Sequence, residues 1–99
     1  MEIRVIAPGT DCKTTSTSIA CKIACDIIEE IFYEKSNDVM TIHTCDGNFV
    51  AEVSVSNERV DICRNGKIDN YCLPDAETII FNMISNYIEG GNENGMFSI

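Results

Sequence analysis

Apolar residues recur along this chain with two different periods, and each change of period marks an element. EIRVIA (2–7) reads as a short strand. TSIACKIACDIIEEIFYEK (17–35) has helical period: Ala20, Ala24, Ile27, Ile28 and Ile31 share one face, with Cys21, Cys25 and Phe32 on its flank. Lys22, Asp26, Glu29, Glu30 and Tyr33 lie opposite, and SND (36–38) ends the helix. Period two then takes over. VMTIHTC (39–45) and NFVAEVSV (48–55) are joined by Asp46-Gly47, a strong hairpin signal. SNE (56–58) turns into RVDIC (59–63), and Asn65-Gly66 turns into KIDNYCL (67–73). Pro74 opens a second helix, DAETIIFNMISNYIE (75–89), which Gly90-Gly91 stops. Its apolar face is Ala76, Ile79, Ile80, Met83, Ile84 and Tyr87.

The turns fix registers that can be checked against one another. A two-residue Asp46-Gly47 turn pairs Met40 with Val53, Ile42 with Ala51, and Thr44 with Phe49. A turn at Asn57-Glu58 pairs Val55 with Val60 and Val53 with Ile62. Both place the same apolar set on one face, as a buried face requires. The last hairpin fits that face only with a bulge in its turn, so that Ile62 faces Ile68. The expected fold class is α+β: two layers, ordered β-α-β-β-β-β-α, with an antiparallel meander and both helices on one sheet face. The other face would carry Thr41, His43, Val50, Glu52, Ser54, Arg59 and Asp61, with Cys45 and Cys63 beside them. Residues 1–91 form one expected domain and 92–99 a tail.

Composition narrows the class. With 99 residues, 44% hydrophobic and 23% charged, the chain is long enough for one modest core and too apolar to be disordered. No apolar run approaches a membrane span, and MEIRVIAPG carries no basic region followed by a greasy stretch, so a cytoplasmic location is expected. The six cysteines are Cys12, Cys21, Cys25, Cys45, Cys63 and Cys72; five fall inside the elements above, where a reduced thiol behaves as a small hydrophobe. With no CxxC pair and one histidine, neither a metal nor a cofactor is expected.

The segment IAPGTDCKTTSTS (6–18) is the first candidate for chemistry. A thiol near a helix N-terminus is favoured as an anion, so Cys12 with Thr14, Thr15 and Ser16 forms a candidate anion or thiol loop. Strand, Ser/Thr-rich loop and helix resemble the phosphocysteine loop of phosphotransferase-system B components. That family, however, sets its cysteine immediately after the strand, where this chain has Ala7-Pro8. A tyrosine-phosphatase loop requires Arg where Ser18 stands, and a P-loop requires Gly before the lysine, where Cys12 precedes Lys13. Capping by Asp11 and residues 14–18 explains the same composition more economically. His43 lies mid-strand on the open face, expected near Cys63 across the sheet, with no third group to orient the pair. No catalytic residue is assigned, and the chain is read as non-enzymatic.

Charge gives the strongest remaining signal. The net charge is −9, and no Lys or Arg follows Lys67. In element order the chain resembles the double-stranded-RNA-binding domain, but it has LPDAET where that domain opens its last helix with basic residues. Phosphate contacts dominate nucleic-acid affinity, so direct binding of nucleic acid is excluded. Asp26, Glu30 and Glu34 are spaced four apart, with Glu29 beside them and Asp38 beyond. Like charges at that spacing cost a helix about 0.2–0.5 kcal/mol per pair. Successive carboxylates stand roughly 6 Å apart along the axis, a spacing comparable with a phosphate backbone. The stripe is therefore the expected contact for a basic partner, either a nucleic-acid-binding enzyme or a toxin. Phage inhibitors that mimic nucleic acid, anti-CRISPR proteins among them, and immunity proteins share this size and charge. Two other readings are carried: a small-molecule or anion-binding module using residues 8–18, and a homodimeric adaptor. In the latter, Met96, Phe97 and Ile99 are the candidate dimer contact, because an apolar chain end favours docking.

Overall fold

The computed structural model describes residues 2–45 and 50–90. Its elements are β1 (Ile3–Ala7), β2 (Thr10–Thr14), α1 (Thr17–Glu34), β3 (Met40–Thr44), β4 (Val50–Ser56), β5 (Arg59–Arg64), β6 (Lys67–Tyr71) and α2 (Leu73–Ser85). A π-helical turn, Asn86–Gly90, follows α2. The strands form one sheet in the order β2-β1-β3-β4-β5-β6, every pair antiparallel, and the α+β class is as expected.

Two features depart from the sequence reading. First, residues 8–18 are not a loop. Pro8 and Gly9 turn β1 back into β2, with Ala7 opposite Thr10 and Gly9 at φ +82°. Pro at the first central position and a left-handed Gly at the second suit a type II turn. β2 and β3 flank β1 and each runs antiparallel to it, so they are parallel to one another. Helix α1 is the crossover that such a parallel relation requires. Second, the last hairpin has no bulge. Arg64 faces Lys67, Cys63 faces Ile68, and Ile62 faces Asp69. Asn65 and Gly66 both adopt positive φ, +52° and +77°, so a two-residue turn closes the hairpin. Ile68 consequently points to the open face and is 67% exposed.

The other registers agree with the turn chemistry: Met40 with Val53, Ile42 with Ala51, Val53 with Ile62, and Val55 with Val60. The Asp46-Gly47 turn, the Thr44–Phe49 pairing and the tail lie outside the described residues. Inward residues of β1, β3, β4 and β5 meet the apolar faces of both helices. The core holds Ile3, Val5, Ile28, Met40, Ile42, Val53, Val60, Ile62, Ile80 and Ile84, all essentially without solvent contact. Ser16 caps α1, its Oγ accepting the Ile19 N–H at 3.3 Å. Lys35 ends α1 in the left-handed conformation at φ +53°, and the Ile31 carbonyl accepts the N–H groups of both Lys35 and Ser36. Pro74 and Asp75 occupy the first turn of α2, where a missing N–H and a negative charge are both favourable.

Candidate partner-binding surface

The helices cover one face of the sheet, and their outward sides carry acid in excess. On α1, Asp26, Glu29, Glu30 and Glu34 outnumber Lys22; α2 carries Asp75 and Glu77 with no basic residue. The open sheet face is nearly balanced by contrast, with Glu2 beside Cys45 as its one acid in excess. Its registers bring Arg4, Lys13 and Arg59 to the same side as Asp11, Glu52 and Asp61. Arg4 holds Asp11 with two bonds, Nε to Oδ1 at 2.9 Å and the terminal nitrogen to Oδ2 at 2.7 Å. This pairing keeps the Asp11 carboxyl below its usual range. Arg59 Nε donates to Asn70 Oδ1, and Asn70 Nδ2 donates to Asp61 Oδ1 at 2.7 Å. Negative charge is thus concentrated on the helical layer.

The acidic side chains of α1 have different neighbours. Lys22 Nζ meets Asp26 Oδ2 at 3.1 Å, an exposed i,i+4 pair. Asp26 and Glu30 stand on the flank of α1 nearest β2. There, with Thr10, Ile23 and Ile27, they line a cleft of about 310 Å³. Its apolar floor and acidic rim suit the aliphatic stem and charged head of a Lys or Arg side chain. Glu29 lies on the opposite flank, in the seam between the helices, against Glu77. The hydrogen bond to the Glu29 carboxyl, then partial burial, then the charge of Glu29 push Glu77 up to about 7. Glu77 joins the surface only through the tertiary fold, and sequence spacing gave no sign of it. Asp38 follows the helix in a turn where its N–H donates to Ser36 Oγ at 3.0 Å.

The remaining sequence candidates are placed as follows. Cys12 sits in edge strand β2, opposite Val5, four residues before the helix cap. The hydroxyls proposed for an anion loop are occupied locally: Thr14 Oγ1 accepts the Ser16 N–H at 3.0 Å, and Ser16 Oγ caps the helix. Thr15 is exposed. His43 and Cys63 are separated by β4, so two interstrand spacings, ~10 Å, divide them and no pair forms. None of the six cysteines is in a disulfide. Burial, followed by the charges of Glu77, Cys21, Glu29 and Asp26, pushes Cys25 up to about 11, which keeps it a thiol at neutral pH. No group of side chains suited to a metal ion occurs among the described residues, and no helix there is long and apolar enough to cross a membrane. No protein family, curated protein or solved structure matches the chain.

Proposed function

We propose that this protein is a non-enzymatic binding protein whose acidic helical layer covers a basic surface of a nucleic-acid-binding enzyme or a toxin. One observation carries the reading: the outward sides of α1 and α2 hold six acidic side chains against one lysine, while the sheet face is nearly balanced. Uniform charge on one layer costs the free protein self-repulsion, and a partner of opposite sign relieves it. Asp26 and Glu30, at the rim of the cleft beside β2, are the anchors for a partner's Lys or Arg. Glu34, Glu29 and Asp38 extend the field along and beyond the helix. A phage-type inhibitor that imitates the charge of a nucleic acid and an immunity protein that blocks a toxin would use the same surface.

Affinity capture with the full chain from its source cells identifies the partner. Its Kd is then measured at about 50 and about 300 mM salt, a range over which screening of exposed charges changes strongly. Binding should weaken at least about tenfold across that range, and a similar loss should follow from the combined variant D26N/E30Q/E34Q. Salt-independent binding, or a variant that binds as the wild type does, would refute the proposal.

A further inference from the structure

We infer that the free edge of β6 is a self-association surface, through which two copies join their sheets about a two-fold axis centred on Ile68. This proposal is independent of the acidic layer and uses the opposite end of the sheet from β2. β6 is an edge strand of five regular pairs with β5, without bulge or proline. Such an edge is a template for another strand unless something blunts it. Arg64 and Lys67 flank the two-residue turn and form the first hydrogen-bonded pair of the hairpin. By alternation, Asp69 and Tyr71 also bond to β5, whereas Ile68 and Asn70 direct their N–H and C=O groups to the free edge. Helix α2 lies over β5, and among the described residues no further strand pairs with this edge.

Three antiparallel registers are compatible with those outward groups, and side-chain chemistry selects one. Pairing Ile68 with Asn70 of the second copy puts Asp69 opposite Asp69, a like-charge contact. Pairing Asn70 with Asn70 puts Asp69 opposite Tyr71. Pairing Ile68 with Ile68 puts Lys67 opposite Asp69 twice, once on each side of the axis, with Gly66 opposite Asn70. That register brings both opposite charges together on the helix-bearing face. It also buries Ile68, 67% exposed in the single chain, against its own copy on the other face. Within one chain, Lys67 Nζ and Asp69 Oδ1 stand 3.9 Å apart, at the limit of an ion pair, and Lys67 is mostly exposed. Lys67 is thus free to turn to a second strand, while the Asp69 side chain, 34% exposed, keeps part of its carboxylate open to it. The other edge is less suited: β2 has no large exposed apolar side chain, and Arg4 already holds its Asp11.

Sedimentation of the full chain tests this. The wild type should form a species of twice the 11.0 kDa chain mass within a range reaching ~100 µM. K67E and D69K each place two like-charge pairs across the axis and should weaken the dimer at least about tenfold. The double variant K67E/D69K restores opposite charges and should recover the wild-type Kd within about threefold. Melting curves recorded alongside establish that each variant is folded. A wild type that stays monomeric over the whole range would overturn the inference. So would folded single variants that associate as the wild type does, or a folded double variant that stays monomeric.

Discussion

At the scale of single residues, Glu77 is the most informative side chain. Its folded-state value of about 7 exceeds the ordinary carboxyl value of 4.5, because Glu29 shares a hydrogen bond with it across the helix seam. A raised carboxyl means that the native state holds the proton more tightly than the unfolded chain does. The pair therefore costs nothing below the unfolded value. Its penalty grows as pH rises from about 4.5 to about 7 and is complete above that. Gln at this position keeps a donor for the Glu29 carboxylate and cannot ionise. Glu77→Gln should leave stability nearly unchanged at about pH 4 and raise it at pH 8 by ~0.5–1 kcal/mol, the value expected after solvent screening. For a domain of this size that corresponds to ~2–8 °C in Tm, readable by thermal melts at the two pH values. Equal melting shifts at both would show that the pair does not titrate as described. The helical spacing correctly set Glu29 among the outward acids. It could not reveal Glu77 as its neighbour, because that contact depends on where α2 lands on the sheet.

At the scale of elements, the misread segments are those where local rules competed. TDCKT, the sequence of β2, has little apolar alternation because it is an edge strand, and its polar side chains resemble a cap and loop. Pro8-Gly9, flanked by Ala7 and Thr10, was the available turn signal. In the last hairpin, hydrophobic matching argued for Ile62 opposite Ile68, whereas Asn65-Gly66 argued for a tight two-residue turn. The turn prevailed, since both of its residues reach positive φ at little cost. The β4–β5 turn supplies the converse case. Asn57 and Glu58 sit at φ +55° and +62°, the same left-handed pair of positions, but the second is not glycine. The left-handed conformation costs an ordinary residue ~1–2 kcal/mol, and glycine returns ~0.4–1 kcal/mol of that as unfolded-chain entropy. Glu58→Gly should thus stabilise the protein by ~0.5–1 kcal/mol, about 2–8 °C in Tm. Asn57→Gly should change little, since Asn tolerates this region. A denaturant titration of the two variants separates them, and a destabilised Glu58→Gly would mean that the Glu58 side chain makes a contact worth more than the strain. The helices were the most legible elements, because period, cap and stop agreed: Ser16 at one end of α1, Pro74 and Asp75 at the start of α2.

At the scale of the whole molecule, the balance between charge repulsion and specific pairing governs how the free protein responds to salt. The chain carries 16 acidic and 7 basic side chains. The ion pairs Arg4–Asp11, Lys22–Asp26 and Lys67–Asp69 are all at least partly exposed. Exposed pairs contribute ~0–1 kcal/mol each and lose that value as salt rises. The helical acids repel one another, at Asp26–Glu30 and Glu30–Glu34 on α1 and at Glu29–Glu77 in the seam, and the excess of 16 acids over 7 bases adds repulsion that no pair offsets. Raising salt from about 0.01 to about 0.5 M shortens the screening length from ~30 Å to under ~8 Å, which removes the long-range repulsion of the −9 charge together with the weaker pair attractions. Repulsion is the larger sum, so the free protein should melt at a higher temperature in added NaCl, by ~2–8 °C for a gain of ~0.5–1 kcal/mol. The D26N/E30Q/E34Q variant should start from a higher Tm at low salt and show a flatter dependence. Thermal melts of both proteins across the salt series decide the matter. A Tm that falls with salt would show that the Arg4–Asp11 and Lys22–Asp26 pairs outweigh the acidic layer. Because the same salt that steadies the free protein should weaken its complex with a basic partner, the two trends must have opposite sign if one surface causes both.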